Sequence, residues 1–117
     1  MVNRGEIWYA DLPDPIESGP GYRRPVLVLQ DEYFNRSPIK TVIVAMISKN
    51  LNLAKARGNV RLLPRQSGLA LESVVNVSQL FTIDKTLFLE YVATLADPKM
   101  SQVEDGLRLV LAIRNKK

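Results

Sequence analysis

Apolar residues occur in several short runs along this chain, separated by turn-forming residues. Residues 25–30 and 41–47 are apolar at almost every position, which is typical of strands covered on both faces. Four shorter strands are predicted over residues 6–10, 60–63, 74–77 and 91–95. Because no helix-length segment lies between the two apolar runs, the pattern predicts a small, strongly curved antiparallel sheet or barrel rather than βαβ units.

The apolar period changes near the end of the chain. After Asp97 and Pro98, helical spacing relates Met100, Val103, Leu107, Val110 and Leu111. Asp97 is a suitable N-cap and Pro98 a suitable first helical residue. Gly106 falls inside this helix, where glycine costs about 1 kcal/mol relative to alanine, so it indicates close packing against a strand. The predicted fold is mainly β with a C-terminal helix.

Composition restricts the chemistry that the chain can perform. The 117 residues are 46% hydrophobic, enough for one domain spanning residues 1–117. The sequence contains no cysteine and no histidine, which excludes the usual zinc sites, thiol nucleophiles and Ser-His-Asp triads. No apolar run approaches the ~20 residues of a membrane span, and the first residues lack the apolar core of a signal peptide. We therefore expect a cytoplasmic protein with no membrane association.

The net charge of +4 is unevenly distributed. Between Tyr33 and Leu71 there is no acidic residue, whereas this interval contains Arg36, Lys40, Lys49, Lys55, Arg57, Arg61 and Arg65. A block of one sign creates a field suited to a polyanion or to an acidic protein segment. The alternative is an ordinary solvated surface.

A glycine-rich loop delivers two arginines to the start of the first apolar run. Arg24 precedes Pro25, which restricts its backbone to extended geometry. Its guanidinium offers five donors in a fixed fork that suits phosphate oxygens. Ser48 directly follows the second apolar run, so Arg24 and Ser48 converge if the two strands are antiparallel neighbours. Alternatively, Arg23 and Arg24 are solvated loop charges and Ser48 is a turn residue.

Four segments in order resemble the MazF/PemK family of toxin endoribonucleases. They are residues 4–8 (RGEIW), 21–28 (GYRRPVLV), 41–48 (TVIVAMIS) and 79–85 (QLFTIDK). The resemblance implies an SH3-like barrel with a C-terminal helix, a homodimer, and sequence-preferring cleavage of single-stranded RNA without metal or cofactor. It also implies a cognate antitoxin that occupies the RNA groove.

The resemblance assigns catalytic roles to Arg24 and Ser48. Many family members have threonine at the position of Ser48, and many have glutamate five residues before the arginine. Here that second position is Gly19, and the nearest acid is Glu17, which makes a glutamate base doubtful. A ribonuclease that uses the 2′-hydroxyl of its substrate as nucleophile needs only orientation and charge stabilisation from the protein. Arg24 is expected to bind the scissile phosphate, and Ser48 to donate to a non-bridging oxygen.

Two stretches are predicted to read the RNA bases, residues 14–22 and 33–37, since they flank Arg24 and carry aromatic and amide groups. The predicted RNA-binding residues are Glu17, Tyr22, Arg23, Asn35, Arg36, Lys49 and Gln79. For Tyr33 and Phe34, a core or dimer contact is the alternative.

Two other functions compete with RNA cleavage. One is a toxin of the same fold that acts on a protein target, as the related gyrase poisons do. The other is a nucleic-acid-binding regulator that does not cut. The Arg23–Arg24 pair and the positive block favour RNA.

Overall fold

The computed structural model describes residues 1–12 and 22–114, and every strand in that part belongs to one antiparallel sheet. The strands are β1 (Glu6–Leu12), β2 (Tyr22–Val28), β3 (Thr41–Ser48), β4 (Val60–Leu62), β5 (Ser73–Asp84) and β6 (Phe88–Thr94). Their order across the sheet is β4-β5-β3-β2-β1-β6. The six predicted strands are all present, and β5 extends well beyond its predicted end.

Three helices and two 3-10 helices connect or close these strands. They are α1 (Glu32–Asn35), α2 (Pro64–Ser67), α3 (Asp97–Val110) and the 3-10 helices Leu51–Lys55 and Lys85–Leu87. The C-terminal helix is as predicted, except that Ala96 occupies the cap position without a side-chain cap bond and Asp97 lies in the first turn. There its negative carboxylate interacts favourably with the positive end of the helix dipole. No helix in residues 1–12 and 22–114 is long and apolar enough to cross a membrane.

The two central strands are buried on both faces, as their continuous apolar runs predict. On one face, Leu27 and Ile47 pack in a cluster with Val103 of α3. On the other face, Val26 and Met46 belong to a second cluster. Side chains alternate between the faces of a strand, so each central strand supplies both clusters.

Gly106 brings α3 into close contact with the turn before β4. A Cβ atom at Gly106 would lie 2.1 Å from the carbonyl oxygen of Gly58. Gly58 itself has φ +90°, a conformation that favours glycine. The close packing predicted for Gly106 is therefore present, but its neighbour is this turn and not a strand.

Candidate active site

The start of β2 and the end of β3 lie side by side. The antiparallel register pairs Val26 with Met46 and Val28 with Val44, and continuing it by two residues places Arg24 opposite Ser48. By alternation, both residues share the sheet face of Val26 and Met46. Arg24 and Ser48 therefore lie at the same end of two neighbouring strands.

A cavity of about 640 Å³ opens at this end of the sheet and contains both residues in its lining. This volume lies within the range of about 300–1,000 Å³ common for ligand pockets. The polar lining is Arg23, Arg24, Ser48, Lys49, Asn50 and Ser73, and the apolar lining is Tyr9, Pro25, Ile47, Leu69, Ala70 and Leu71. We call this cavity the strand-end pocket.

Ser48 is oriented by the turn that follows it. The backbone N–H of Asn50 donates to Ser48 Oγ at 3.1 Å. Because the hydroxyl oxygen accepts this bond, its own proton remains available to donate to a ligand oxygen. The next residue in the chain, Lys49, also lines the pocket and is exposed.

Arg23 is held against the neighbouring strands. Its guanidinium forms an ion pair with Glu90 of β6 and lies 4.4 Å from the ring centroid of Tyr9. The register places Tyr9 between Pro25 on β2 and Glu90 on β6. These contacts give Arg23 a defined position at the pocket rim.

The electrostatic character of the pocket suits an anion. Arg23, Arg24 and Lys49 contribute three cationic groups, and none of the described lining residues is a carboxylate. Glu90 offsets the charge of Arg23 from outside this lining. Cationic groups beside a hydroxyl donor match the geometry and charge of a phosphodiester.

The turn between α2 and β5 forms a wall of the pocket that the sequence reasoning missed. Leu69 and Leu71 from this turn, and Ser73 at the start of β5, all line the pocket. A local signal existed, since Gly68 ends α2 with φ +75° and marks a turn. Its place beside Arg24 follows only from the pairing of Ser48 with Val74 in β5.

The side chain of Asn35, which is predicted to read RNA bases, is buried in the structure. Asn35 is 1% exposed. Its amide donates to the Gln30 carbonyl at 2.8 Å and accepts from Gln30 Nε2 at 3.0 Å. Four residues of β2, about 13 Å at ~3.3 Å per residue, separate Arg24 from Val28, and α1 follows that far end. The segment 33–37 therefore does not flank Arg24 in space.

Arg36 also belongs to a different part of the surface from the pocket. It forms an ion pair with Glu32 at 3.3 Å and donates to Asn3 Oδ1 at 3.3 Å. Desolvation acts to raise the pKa of Glu32, but hydrogen bonds from the Arg4 N–H and Asn35 and the charge of Arg36 lower it overall. This network ties α1 to the N-terminal residues.

The remaining predicted RNA contacts are Gln79, Glu17 and Tyr22. Gln79 is exposed in a bulge of β5, where Ala45 pairs with Leu80 and Met46 with Asn76, and it does not line the pocket. Glu17 lies outside the described residues, as does the side chain of Tyr22. Among the predicted residues whose side chains are described, the pocket thus unites Arg23, Arg24, Ser48 and Lys49, but not Asn35, Arg36 or Gln79.

The fold and the pocket together define a class of protein. A curled six-stranded antiparallel sheet, a C-terminal helix and a cationic strand-end pocket describe a small β protein with a pocket suited to an anion. The family model described as PemK-like, MazF-like toxin of type II toxin-antitoxin system matches residues 3–111. The chain belongs to this family.

Individual relatives agree with this assignment. Endoribonuclease MazF6 of Mycobacterium tuberculosis (strain ATCC 25618 / H37Rv) is 42% identical over 111 residues, covering 95% of this chain and 97% of that protein. Endoribonuclease EndoA of Bacillus subtilis (strain 168) is 36% identical over 114 residues, with 97% of each chain covered. The solved structure of an endoribonuclease in complex with its cognate antitoxin from Mycobacterial species has a TM-score of 0.77 at 18% identity, covering 99% of this chain and 100% of that one. The predicted family and small-barrel fold are confirmed.

Proposed function

We propose that this chain is an endoribonuclease toxin that cleaves single-stranded RNA without a metal ion. The observation that carries the proposal is that Arg24 and Ser48, from neighbouring strands, both line one cationic pocket. Support comes from two relatives that span nearly the whole chain and are named endoribonucleases.

The proposed reaction is an internal transesterification. The 2′-oxygen of the nucleotide before the break attacks phosphorus, and the bond from phosphorus to the 5′-oxygen breaks. The 2′-hydroxyl loses a proton, and the departing 5′-oxygen gains one. The products are a 2′,3′-cyclic phosphate and a 5′-hydroxyl, so atoms and electrons balance without a protein nucleophile.

Arg24 and Ser48 stabilise the charge that develops on the phosphorane. The guanidinium of Arg24 binds the scissile phosphate, and the Ser48 hydroxyl donates to a non-bridging oxygen while accepting from Asn50. Arg23 and Lys49 hold the adjacent backbone charge. Orientation of the 2′-oxygen in line with the bond that breaks supplies the rest of the acceleration.

The donor chemistry of the pocket is the reason for proposing a metal-independent reaction. Guanidinium, ammonium and hydroxyl groups bind phosphate oxygens, whereas Mg²⁺ prefers carboxylate and carbonyl oxygen ligands. Positive charge in the described lining already supplies the neutralisation that a metal ion gives in other nucleases.

We further propose that a cognate antitoxin inhibits the chain by covering this pocket. We also propose that two copies of the chain form a homodimer and that the protein acts on RNA in the cytoplasm. A related fold is seen in a solved endoribonuclease–antitoxin complex. The cationic lining favours an acidic segment of the antitoxin as the covering element.

Incubation with a long mixed RNA in excess EDTA tests the activity. We expect cleavage with 5′-hydroxyl and 2′,3′-cyclic phosphate ends, and no cleavage when the nucleotide before the mapped break is 2′-deoxy. Cutting of the 2′-deoxy substrate contradicts the proposed chemistry. Binding of RNA with no cleavage indicates a regulator, and neither binding nor cleavage indicates a protein target.

A further inference from the structure

The strand-end pocket has an apolar wall beside its cationic rim. Leu69 and Leu71 belong to this wall and come from the turn between α2 and β5. Leu69 is buried at 6% exposure, whereas Leu71 is 58% exposed although it lines the pocket. An exposed leucine at this place offers an apolar surface to whatever occupies the pocket.

Hydrogen bonds and packing fix the turn that carries Leu71. The Leu69 N–H donates to Ser67 Oγ at 3.0 Å, and the Ser73 hydroxyl donates to the Leu71 carbonyl at 2.9 Å. Ser67 is fully buried and Ser73 is 4% exposed. Leu71 is therefore presented by an anchored backbone, which reduces the conformational cost of binding against it.

Two further contacts fasten the turn to its neighbours. A Cβ atom built at Gly68 would lie 3.0 Å from the Cβ of Ala93 in β6, so this backbone packs directly on that strand. Glu72, next to Leu71, accepts from Arg61 Nε at 2.9 Å. The turn is therefore attached to β6 through Gly68 and to β4 through Glu72.

We propose that Leu71 is a base-contacting residue that packs on the nucleobase of a nucleotide flanking the scissile phosphate, an inference that rests on the proposed function. A nucleobase is joined to its phosphate through a single ribose. When the phosphate meets Arg24 and Ser48, a flanking base can reach the apolar wall that lines the same pocket. Apolar side chains in such pockets hold unstacked bases by contact with the base plane. An acidic protein segment would match the cationic rim, but its carboxylates do not use the apolar wall. A nucleotide uses both, since its phosphate is charged and its base has apolar faces.

A short single-stranded RNA containing the mapped cleavage site tests this contact in the full-length protein. We expect Leu71→Ala to raise KM about 5-fold, because the lost methyl groups no longer bury apolar surface against the base, while kcat changes less than about twofold. Substrates with an abasic nucleotide on either side of the break form the second arm. When the missing base is the one that Leu71 contacts, Leu71→Ala should have no further effect.

Leu89→Ala is the matched control, since Leu89 is 54% exposed on β6 and does not line the pocket. We expect it to leave both parameters unchanged. An unchanged KM for Leu71→Ala overturns the inference, and so does an equal increase on intact RNA and on both abasic RNAs. Weaker antitoxin binding by Leu71→Ala with normal RNA cleavage makes the wall a protein-contact surface and also overturns it. Failure of the unmodified protein to cleave any RNA contradicts the proposed function itself.

Discussion

Gly106→Ala should destabilise the protein, although alanine is the better helix former. The new Cβ atom would lie 2.1 Å from the Gly58 carbonyl oxygen and 2.9 Å from the Gly58 carbonyl carbon. Both are backbone atoms of a turn, and Val77 lies on another side of that turn, since a Cβ atom built at Gly58 would be 3.2 Å from Val77 Cγ2. Neither side can swing away as a flexible side chain could.

The expected loss follows from the size of this overlap. The closest distance is about 1 Å shorter than non-bonded atoms tolerate, so α3 must move away from the turn by a similar amount. Overpacking of a close contact costs about 1–3 kcal/mol, and a clash between two backbones belongs near the upper end. The higher helix propensity of alanine offsets about 1 kcal/mol of this cost. The net loss is therefore about 2 kcal/mol, or roughly 8 °C in Tm for a chain of this size.

Urea unfolding followed by the fluorescence of Trp8, the single tryptophan, measures this change. Ser101→Ala, an exposed substitution on the same helix, is the control and should change stability by no more than about 0.5 kcal/mol. If Gly106→Ala is as stable as the unmodified protein, the close approach of α3 to the turn is refuted.

Three further predictions concern residues around α1 and the pocket. Asn35→Ala should lower the free energy of unfolding by about 2 kcal/mol because it removes buried hydrogen bonds. The rate of RNA cleavage per folded molecule should be unchanged. A lower rate in a fully folded variant would support Asn35 as an RNA contact. Lys49→Gln should lower the slope of log Kd against log salt concentration by about 0.7 for a non-cleavable single-stranded RNA. Arg36→Gln, outside the pocket, should leave this slope unchanged. Equal slopes for the two variants would contradict the location of the site. The pKa of Glu32 is lowered below 4.5 in the folded state, so its stabilisation is present above that pH and is lost as pH falls through the folded-state pKa. Glu32→Gln should therefore cost about 1 kcal/mol at pH 7, and this cost should shrink as the pH is lowered progressively below 4.5, as measured by urea unfolding over a pH series. A cost that stays constant over the whole series would show that the charge of Glu32 contributes nothing.

The strands and the central pair of the site could be predicted because local pattern determines them. Continuous apolar runs at 25–30 and 41–47 indicate strands covered on both faces, and their short connection favours antiparallel neighbours. Once those strands are paired, the residues at their adjoining ends must meet. Arg24 and Ser48 could therefore be placed together from the order of residues alone.

The rest of the pocket could not be predicted because it depends on contacts distant in sequence. Leu71 reaches the pocket through the pairing of β5 with β3, in which three extra residues between Asn76 and Leu80 shift the register. Asn35 was expected at the surface because amides usually are, but a bond to Gln30 holds it inside. The four-residue helices α1 and α2 are too short to show a helical period.

The most direct test of the account compares Arg24→Ala with Arg23→Ala in single-turnover cleavage of one RNA. These neighbours line the same pocket, but Arg24 is the group assigned to the scissile phosphate and Arg23 is bound to Glu90. We predict that Arg24→Ala lowers the rate constant at saturating protein by about 10²–10³-fold, whereas Arg23→Ala lowers it by less than about 10-fold and mainly weakens binding. Equal losses in the two variants, or full activity without Arg24, would contradict the assignment of this pocket as the cleavage site.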